Sequence, residues 1–378
     1  MNIGKSLTFL RFKNLLDKTS KRGIIWMIKR LYQELFIPST KFTEFLNYLI
    51  FLPANTIKFF LIRKKDKLYF LWDLRVAPTT FDFFWGVAIA NCQIQKQKIK
   101  KLHVIILYEK GKLRCEEKDY SDSVSLDQRL ARIENLLVAT CKMIKNIDYS
   151  VLNKNETKKI IKNKKVFPKN YFINFPTYIQ NKDYVILHNK EFKTDILKEN
   201  LSYTLKVEKW LKEKNENLKK LITISIRDYK FMTYRNSNLE EWKKVYSKLK
   251  QLKYRVVIIP DTESQTDLTK YFDEDDIYFK SKNNNLLKVG CYHNSILNLF
   301  VDGGASTPCI FSNLPYIIFN IIPSESIDYS TNLISSRKFV IGEQPNFLKK
   351  NQMWVWEKDT YEMIMISINK FFKTIDKN

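Results

Sequence analysis

The chain has 378 residues, more than the ~250–300 at which a single hydrophobic core stops growing, so two domains are expected. Apolar residues make up 44% of it and aromatics 14%, which excludes disordered and low-complexity classes. The absence of a repeat at a period of ~20–50 residues excludes solenoids and propellers, and the remaining oddity is 65 Lys and Arg against 40 Asp and Glu, a formal charge of +25.

Residues 1–67 hold 14 Lys and Arg against 4 Asp and Glu, so +10 of the +25 lies there. At a helical period Ile24, Ile28, Leu31 and Leu35 share a side, flanked by Lys21, Lys29 and Arg30, and the same stretch carries Trp26. This predicts a basic amphipathic helical extension. It either lies on an anionic membrane surface or packs on the catalytic body. The apolar run 45–62 is interrupted by Asn47, Pro53, Asn55 and Lys58 and is too broken to span a bilayer. No signal-peptide pattern precedes it. Five cysteines without a CxxC pair and only three histidines fit reduced thiols in a cytoplasm and no His/Cys metal site. The predicted location is cytoplasmic, peripheral on the inner face of the membrane, with no metal and no cofactor.

After residue 67 the pattern becomes alternating. LYFLW (68–72) reads as a buried strand, 73–80 as a loop, 81–95 as an apolar helix, 102–108 as a second strand and 125–144 as a long amphipathic helix. The lysine-rich stretch 154–165, followed by Pro168 and Pro176, reads as a linker or peripheral crossover. A second series follows: strand 184–188, helix 201–214, strand 221–226, helix 239–252, strand 254–260, helix 285–293, strand 296–301, strand 314–320 and a closing helix 361–372. Trp354 and Trp356 pack the C-terminal segment. Two α/β series predict two Rossmann-like domains facing a cleft, with ligands at the carboxyl ends of the strands. The expected division is 1–67 extension, 68–180 front domain, 181–345 back domain and 346–378 a closing helical segment.

Three constellations fall at strand ends. Asp302-Gly303-Gly304-Ala305-Ser306-Thr307 follows ILNLFV and uses two of only eight glycines. Such a turn lets a phosphate approach the backbone at a helix start, or is an ordinary strand-to-helix turn with a hydroxyl cap. Arg227 ends ISIR, with Arg235 eight residues on. Two of twelve arginines thus lie in one loop, which suits a diphosphate through bidentate donors. Asn236 or Asn238 can cap the helix that follows. Asp73, Arg75, Thr79, Thr80 and Asp82 gather after the first strand, where a carboxylate would serve as general base and Arg75, Thr79 and Thr80 would meet an acceptor. Asp261-Thr262-Glu263, ending another strand, is an ordinary turn or joins Asp302 as a candidate for a nucleotide's ribose or base edge, with Asp261 and Thr262 as the binding residues. Asp273-Glu274-Asp275-Asp276 reads as a solvated acidic turn. The motifs of common dehydrogenases, P-loop enzymes, hydrolases and zincins are missing, as are the signatures of nucleic-acid-binding folds, so nucleic acid is not expected as a partner.

Together, "ISIRDYKFMTYRNSN" and "NLFVDGGASTPCIFSNLPYIIF" resemble the back domain of a GT-B glycosyltransferase of heptosyltransferase-like or fucosyltransferase-like type, and "YFLWDLRVAPTTFDFF" resembles the opening of an acceptor domain. The resemblance implies a nucleotide-sugar donor whose diphosphate is gripped by Arg227 and the Gly303–Thr307 turn, with Arg235 of the same loop as a further candidate, and a terminal helix that returns to the front domain. It also implies a glycan or lipid-linked acceptor, metal-independent transfer, and Asp82 or Asp73 as the base. The Asp-Ser/Thr-Gly and His pattern of heptosyltransferases is not kept, so neither subfamily nor sugar is carried over. The rival expectations are a nucleotide-sugar epimerase or hydrolase on the same fold, and a non-catalytic basic scaffold or nucleic-acid binder.

Overall fold

The computed structural model describes residues 20, 24, 27–28, 41–61, 64–116, 118–213, 220–264, 266–321 and 333–375. Of the amphipathic N-terminal stretch, Lys21, Trp26, Lys29, Arg30, Leu31 and Leu35 lie outside the described residues, and Ile24 and Ile28 are exposed. Helix α1 (Lys41–Leu61) carries Pro53 within it. It turns Asn47, Phe51 and Asn55, one every fourth residue, toward the chain beyond the front sheet. Asn170 Nδ2 donates to Asn47 Oδ1 at 2.8 Å, Asn55 Nδ2 donates to Asn170 Oδ1 at 2.9 Å, and Phe51 stacks on Phe172. No helix among the described residues is long and apolar enough to cross a membrane.

The front half is a parallel sheet of β1 (Lys64–Asp73), β2 (Lys101–Leu107), β3 (Ile147–Leu152) and β4 (Lys164–Phe167) in the order β3-β2-β1-β4. The back half is a parallel sheet of β5 (Leu221–Ser225), β6 (Arg255–Ile259), β7 (Leu297–Val301), β8 (Tyr316–Phe319) and β9 (Gln352–Trp354) in the order β6-β5-β7-β8-β9. β5, β7 and β8 are buried at every residue, as strands covered on both faces must be. Their apolar runs therefore do not alternate.

Helix α2 (Asp82–Lys96) covers the front sheet so closely that a Cβ on Gly86 would lie 2.7 Å from the Phe70 ring. The predicted helix over 125–144 starts at Ser125, whose capping box with Gln128 fixes the first turn of α3 (Leu126–Arg132). It continues through a π-helical segment, Ile133–Val138, to Lys142.

Several expectations need correction. The stretch 154–165, read as a linker or peripheral crossover, is helix α4 (Lys154–Ile161) and the start of β4, so it is a crossover from β3 to β4 within the front half and not a linker. Tyr184–His188 is not a strand but part of a 3-10 helix, Asn181–His188, wedged against α2 by Tyr184 and Leu187. Asp276 is not solvated: it is buried and accepts from Arg255, Lys250 and Tyr246.

The back half also holds helices α5 (Leu201–Glu213), α6 (Leu239–Gln251), α7 (Asn285–His293) and α8 (Tyr361–Ile375). α8 does not return to the front half. Its Ile364, Ile368 and Phe371 share a core with Trp242 and Phe319, and Phe372 stacks on Tyr254. Asp359 locks this end by accepting from Trp242 Nε1 at 2.7 Å and from the Asn238 amide at 2.9 Å. Asn238 is thus held by a distant carboxylate and makes no side-chain cap of its own.

One apolar cluster runs through both halves. Phe311 of the back half stacks on Phe84 and meets the edge of Trp85, both in α2.

Candidate functional site

In open α/β sheets the ligand crevice lies outside the carboxyl ends of the strands, where strand order reverses. In the back sheet that reversal is between β5 and β7, since β6 follows β5 to one side and β7 returns to the other. Arg227 stands two residues past β5, and Asp302-Gly303-Gly304 stands immediately past β7. The topology therefore brings together two stretches about 75 residues apart in sequence, as their strand-end positions imply.

Arg227 is fixed at its backbone by Ser237, whose Oγ accepts from the Arg227 amide at 2.9 Å and whose own amide donates to the Arg227 carbonyl at 2.9 Å. The guanidinium donates to Asn236 Oδ1 and makes long contacts of 3.4 Å to the Met232 and Phe231 carbonyls. Asn236 is thus a brace for Arg227 and for Tyr229, not a helix cap. Among the described residues no carboxylate forms an ion pair with Arg227. Burial, and then the neighbouring Arg235, push its pKa down to about 10. Asp261 and Asp302 act on Arg227 only at a distance, and an anionic ligand at this half-buried cation would offset the cost of its desolvation.

Arg235 differs: it pairs with Asp302 at 2.7 Å. Its pKa is raised, first by Asp302, with Asp82 of the front half among the contributing charges. Asp82 therefore stands within electrostatic reach of the back-half loop. It is the first residue of α2, where the helix dipole favours a carboxylate, and Thr80 Oγ1 donates to its Oδ2 at 2.7 Å. Thr79 is buried, and its Oγ1 has no partner in the structure.

The glycine turn has a different reason from the one its composition suggests. A Cβ on Gly304 would lie 2.1 Å from Cδ2 of Phe81, so the ring of the residue before Asp82 rests on the back-half turn. A Cβ on Gly303 would meet Arg227 Cδ at 3.3 Å. The close approaches are by the protein's own side chains. Ser306 and Thr307 are buried, Ser306 Oγ donates to the Gly303 carbonyl at 2.8 Å, Ala305 packs on the shared core, and the helix that follows is only Thr307–Ile310. These hydroxyls secure the turn from within, and so short a helix offers no phosphate seat of its own.

Asp73 is removed from the role of base. It is fully buried and accepts from Arg75 Nε at 2.9 Å, from Arg75 Nη2, and from Tyr171 Oη at 2.8 Å. Arg75 in turn donates to the Ile173 carbonyl at 2.9 Å. The group fills the space beyond β1 and β4, where the front sheet reverses its strand order, so Arg75 serves this lock rather than an acceptor. Asp261 caps a turn, accepting from the Thr262 amide at 2.7 Å and the Asp228 amide at 3.2 Å.

Several residues at the site were not singled out from the sequence. Arg132 of the front half binds Glu263 of the back half at 2.6 Å and donates to Tyr229 Oη at 3.0 Å and Tyr120 Oη at 2.7 Å. The guanidinium carbons of Arg132 and Arg227 lie 5.9 and 5.6 Å from the centre of the Tyr229 ring. The rarity of arginine was the one available signal for Arg132. Phe81 and Lys288 offered none, being ordinary residues whose importance lies in distant contacts.

No family model and no curated protein matches the chain. Among solved structures, it is similar to a glycosyl transferase family 9 protein from Veillonella parvula, at 10% identity and a TM-score of 0.50, over 82% of this chain and 98% of that one. It is also similar, at a TM-score of 0.31 and 10% identity, to the iron-containing dodecameric glycosyltransferase TibC of enterotoxigenic E. coli, over 68% of this chain and 58% of that one. A UDP-GlcNAc 2-epimerase from Methanocaldococcus jannaschii follows at 0.24 and 14%, over 89% and 84%. The chain thus has a GT-B-like fold, two parallel α/β halves whose residues beyond the strands' carboxyl ends meet at Phe81 and Gly304.

Proposed function

We propose that the protein is a glycosyltransferase that moves a sugar from a nucleotide-sugar donor to a surface-glycan acceptor. The observation that carries this reading is Arg227, a half-buried guanidinium with no carboxylate ion pair among the described residues, placed at the strand-order reversal of the back sheet. A donor diphosphate supplies the missing anion. In the transfer, the acceptor hydroxyl oxygen bonds to the anomeric carbon as the bond from that carbon to the diphosphate oxygen breaks. The electron pair leaves with the nucleoside diphosphate, and Arg227 stabilises the charge that develops there. Asp82, across from Arg235, takes the hydroxyl proton in an inverting reaction. The cationic side chains supply the charge that a divalent metal would otherwise provide. The basic segment 1–67 holds the enzyme at an anionic membrane surface, near a lipid-linked acceptor.

The test is product analysis with a panel of nucleotide sugars, with and without glycan acceptors. Acceptor-dependent release of nucleoside diphosphate with a new glycoside is expected. Sugar release or isomerisation that ignores the acceptor would instead establish a hydrolase or epimerase.

A further inference from the structure

Lys288 is a second buried cation at the same edge of the back sheet. It lies one turn into α7, which is started by Asn284 Oδ1 accepting from the Leu287 amide and tied to the front half by Asn285 Nδ2 donating to the Asn135 carbonyl. Lys288 is 4% exposed, and among the described residues its Nζ makes one hydrogen bond, 3.0 Å to Thr262 Oγ1. An ammonium has three donors, so two are left over. The nearby carboxylates are engaged elsewhere. Asp261 caps the Thr262 and Asp228 amides, and Glu263 binds Arg132 through both oxygens. Lys282 is also close, and it donates to the Ser264 carbonyl at 2.9 Å. Burial lowers the Lys288 pKa, while Asp261 and Glu263 raise it without forming an ion pair.

Its place relative to Arg227 follows from the register. Ser225 of β5 pairs with Ile259 of β6, so Arg227 and Asp261 each stand two residues past these paired strand ends, and the Asp228 amide donates to Asp261 Oδ2 at 3.2 Å. Asp261 acts electrostatically on both Arg227 and Lys288. A ligand with its diphosphate on Arg227 that runs along this edge toward β6 places its nucleoside beside the half-buried Thr262.

We propose that Lys288 recognises the nucleoside end of the donor, its ammonium donating to acceptor oxygens of the base or ribose that reach it past Thr262. This rests on the reading of the back-sheet edge as the donor site. It assigns that edge two functions: Arg227 takes the phosphates and Lys288 reads what they are attached to.

Isothermal titration of the full chain with UDP, GDP, ADP and inorganic pyrophosphate tests the division. Lys288→Met should weaken the tightest nucleoside diphosphate by about ten- to hundredfold, the range for a hydrogen bond from a charged donor. It should leave pyrophosphate within about twofold, since the phosphates are not its partners. Methionine keeps the volume and removes a buried charge, so the unliganded variant should melt no lower than the parent; a purely structural lysine predicts the reverse. If Lys288→Met does not fold, Lys288→Gln carries the same comparison. Unchanged nucleoside diphosphate affinity in a folded variant overturns the assignment and leaves the donor site standing. An equal fall in pyrophosphate affinity makes Lys288 a phosphate ligand and also overturns it. Failure of the parent protein to bind any nucleoside diphosphate overturns the donor site itself and this assignment with it.

Discussion

Replacing Arg227 with methionine should make the unliganded protein more stable and its response to nucleoside diphosphates weaker. The guanidinium's pKa is pushed down to about 10, first by burial and then by Arg235. A base whose pKa falls on folding costs stability at every pH below its folded value, and the cost fades as pH rises above about 10. At neutral pH the full cost, roughly 3 kcal/mol as an upper bound, is therefore present. Against it stand the hydrogen bond to Asn236 and two 3.4 Å contacts to carbonyls, and Asn236 Oδ1 keeps the Tyr229 amide when the arginine is gone. A melting entropy of ~2.1 cal/mol/K per residue over 378 residues gives about 1.3 °C per kcal/mol. The unliganded variant should thus melt at the parent's temperature or up to ~4 °C above it. A nucleoside diphosphate at a hundred times its Kd stabilises the parent by ~2.7 kcal/mol, or ~3–4 °C. Losing ~3 kcal/mol of charge-assisted contact raises Kd more than ~100-fold and reduces that shift below ~1 °C. Differential scanning fluorimetry with UDP, GDP and ADP reads both effects. A lower unliganded melting point together with an undiminished ligand shift would refute the reasoning, because Arg227 would then be a structural residue with no part in binding.

Asp82→Asn should lower turnover by ~10²–10⁴ and leave nucleoside diphosphate affinity within about twofold in titration, as expected for a general base outside the donor site. Asp73→Asn should act on stability instead, because it breaks a buried pair with Arg75 and costs ~3–5 kcal/mol; a normal melting point with lost turnover would return Asp73 to the chemistry. Gly304→Ala must displace Phe81 and should destabilise by ~1–3 kcal/mol in denaturant titration. An alanine variant as stable as the parent would show that the two halves do not meet there. Transfer should survive prior treatment with a chelator, and a loss restored by magnesium would overturn the metal-independent mechanism.

The apolar strands of the back sheet were legible because LITIS, LNLFV and YIIF are short runs buried on both faces, a pattern that few other environments demand. The same kind of run misled at Tyr184–His188, which is wedged against α2 and needs no strand partner. β3 was overlooked because it lies at the sheet edge and exposes much of its length, and β9 because three residues carry no period. For α8, the spacing of Ile364, Ile368 and Phe371 showed an apolar face but not which half would cover it.

The site divides along the same physical line. Arg227 and the Gly303–Gly304 turn could be picked out because each ends an apolar strand, and strand ends converge wherever the sheet places its reversal. Arg132 could not, because its partner Glu263 lies 131 residues away and neither is unusual in its own neighbourhood. The glycines are the instructive case. Their scarcity elsewhere in the chain correctly marked a place where something comes close to the backbone. A missing Cβ records only that the space is needed, however, and at Gly304 it is filled by Phe81 from the other half of the protein. That contact still bears on the chemistry, since the residue after Phe81 is Asp82. The turn that was expected to hold a phosphate thus also meets Phe81, and the next residue, Asp82, acts electrostatically on Arg235 across the same contact.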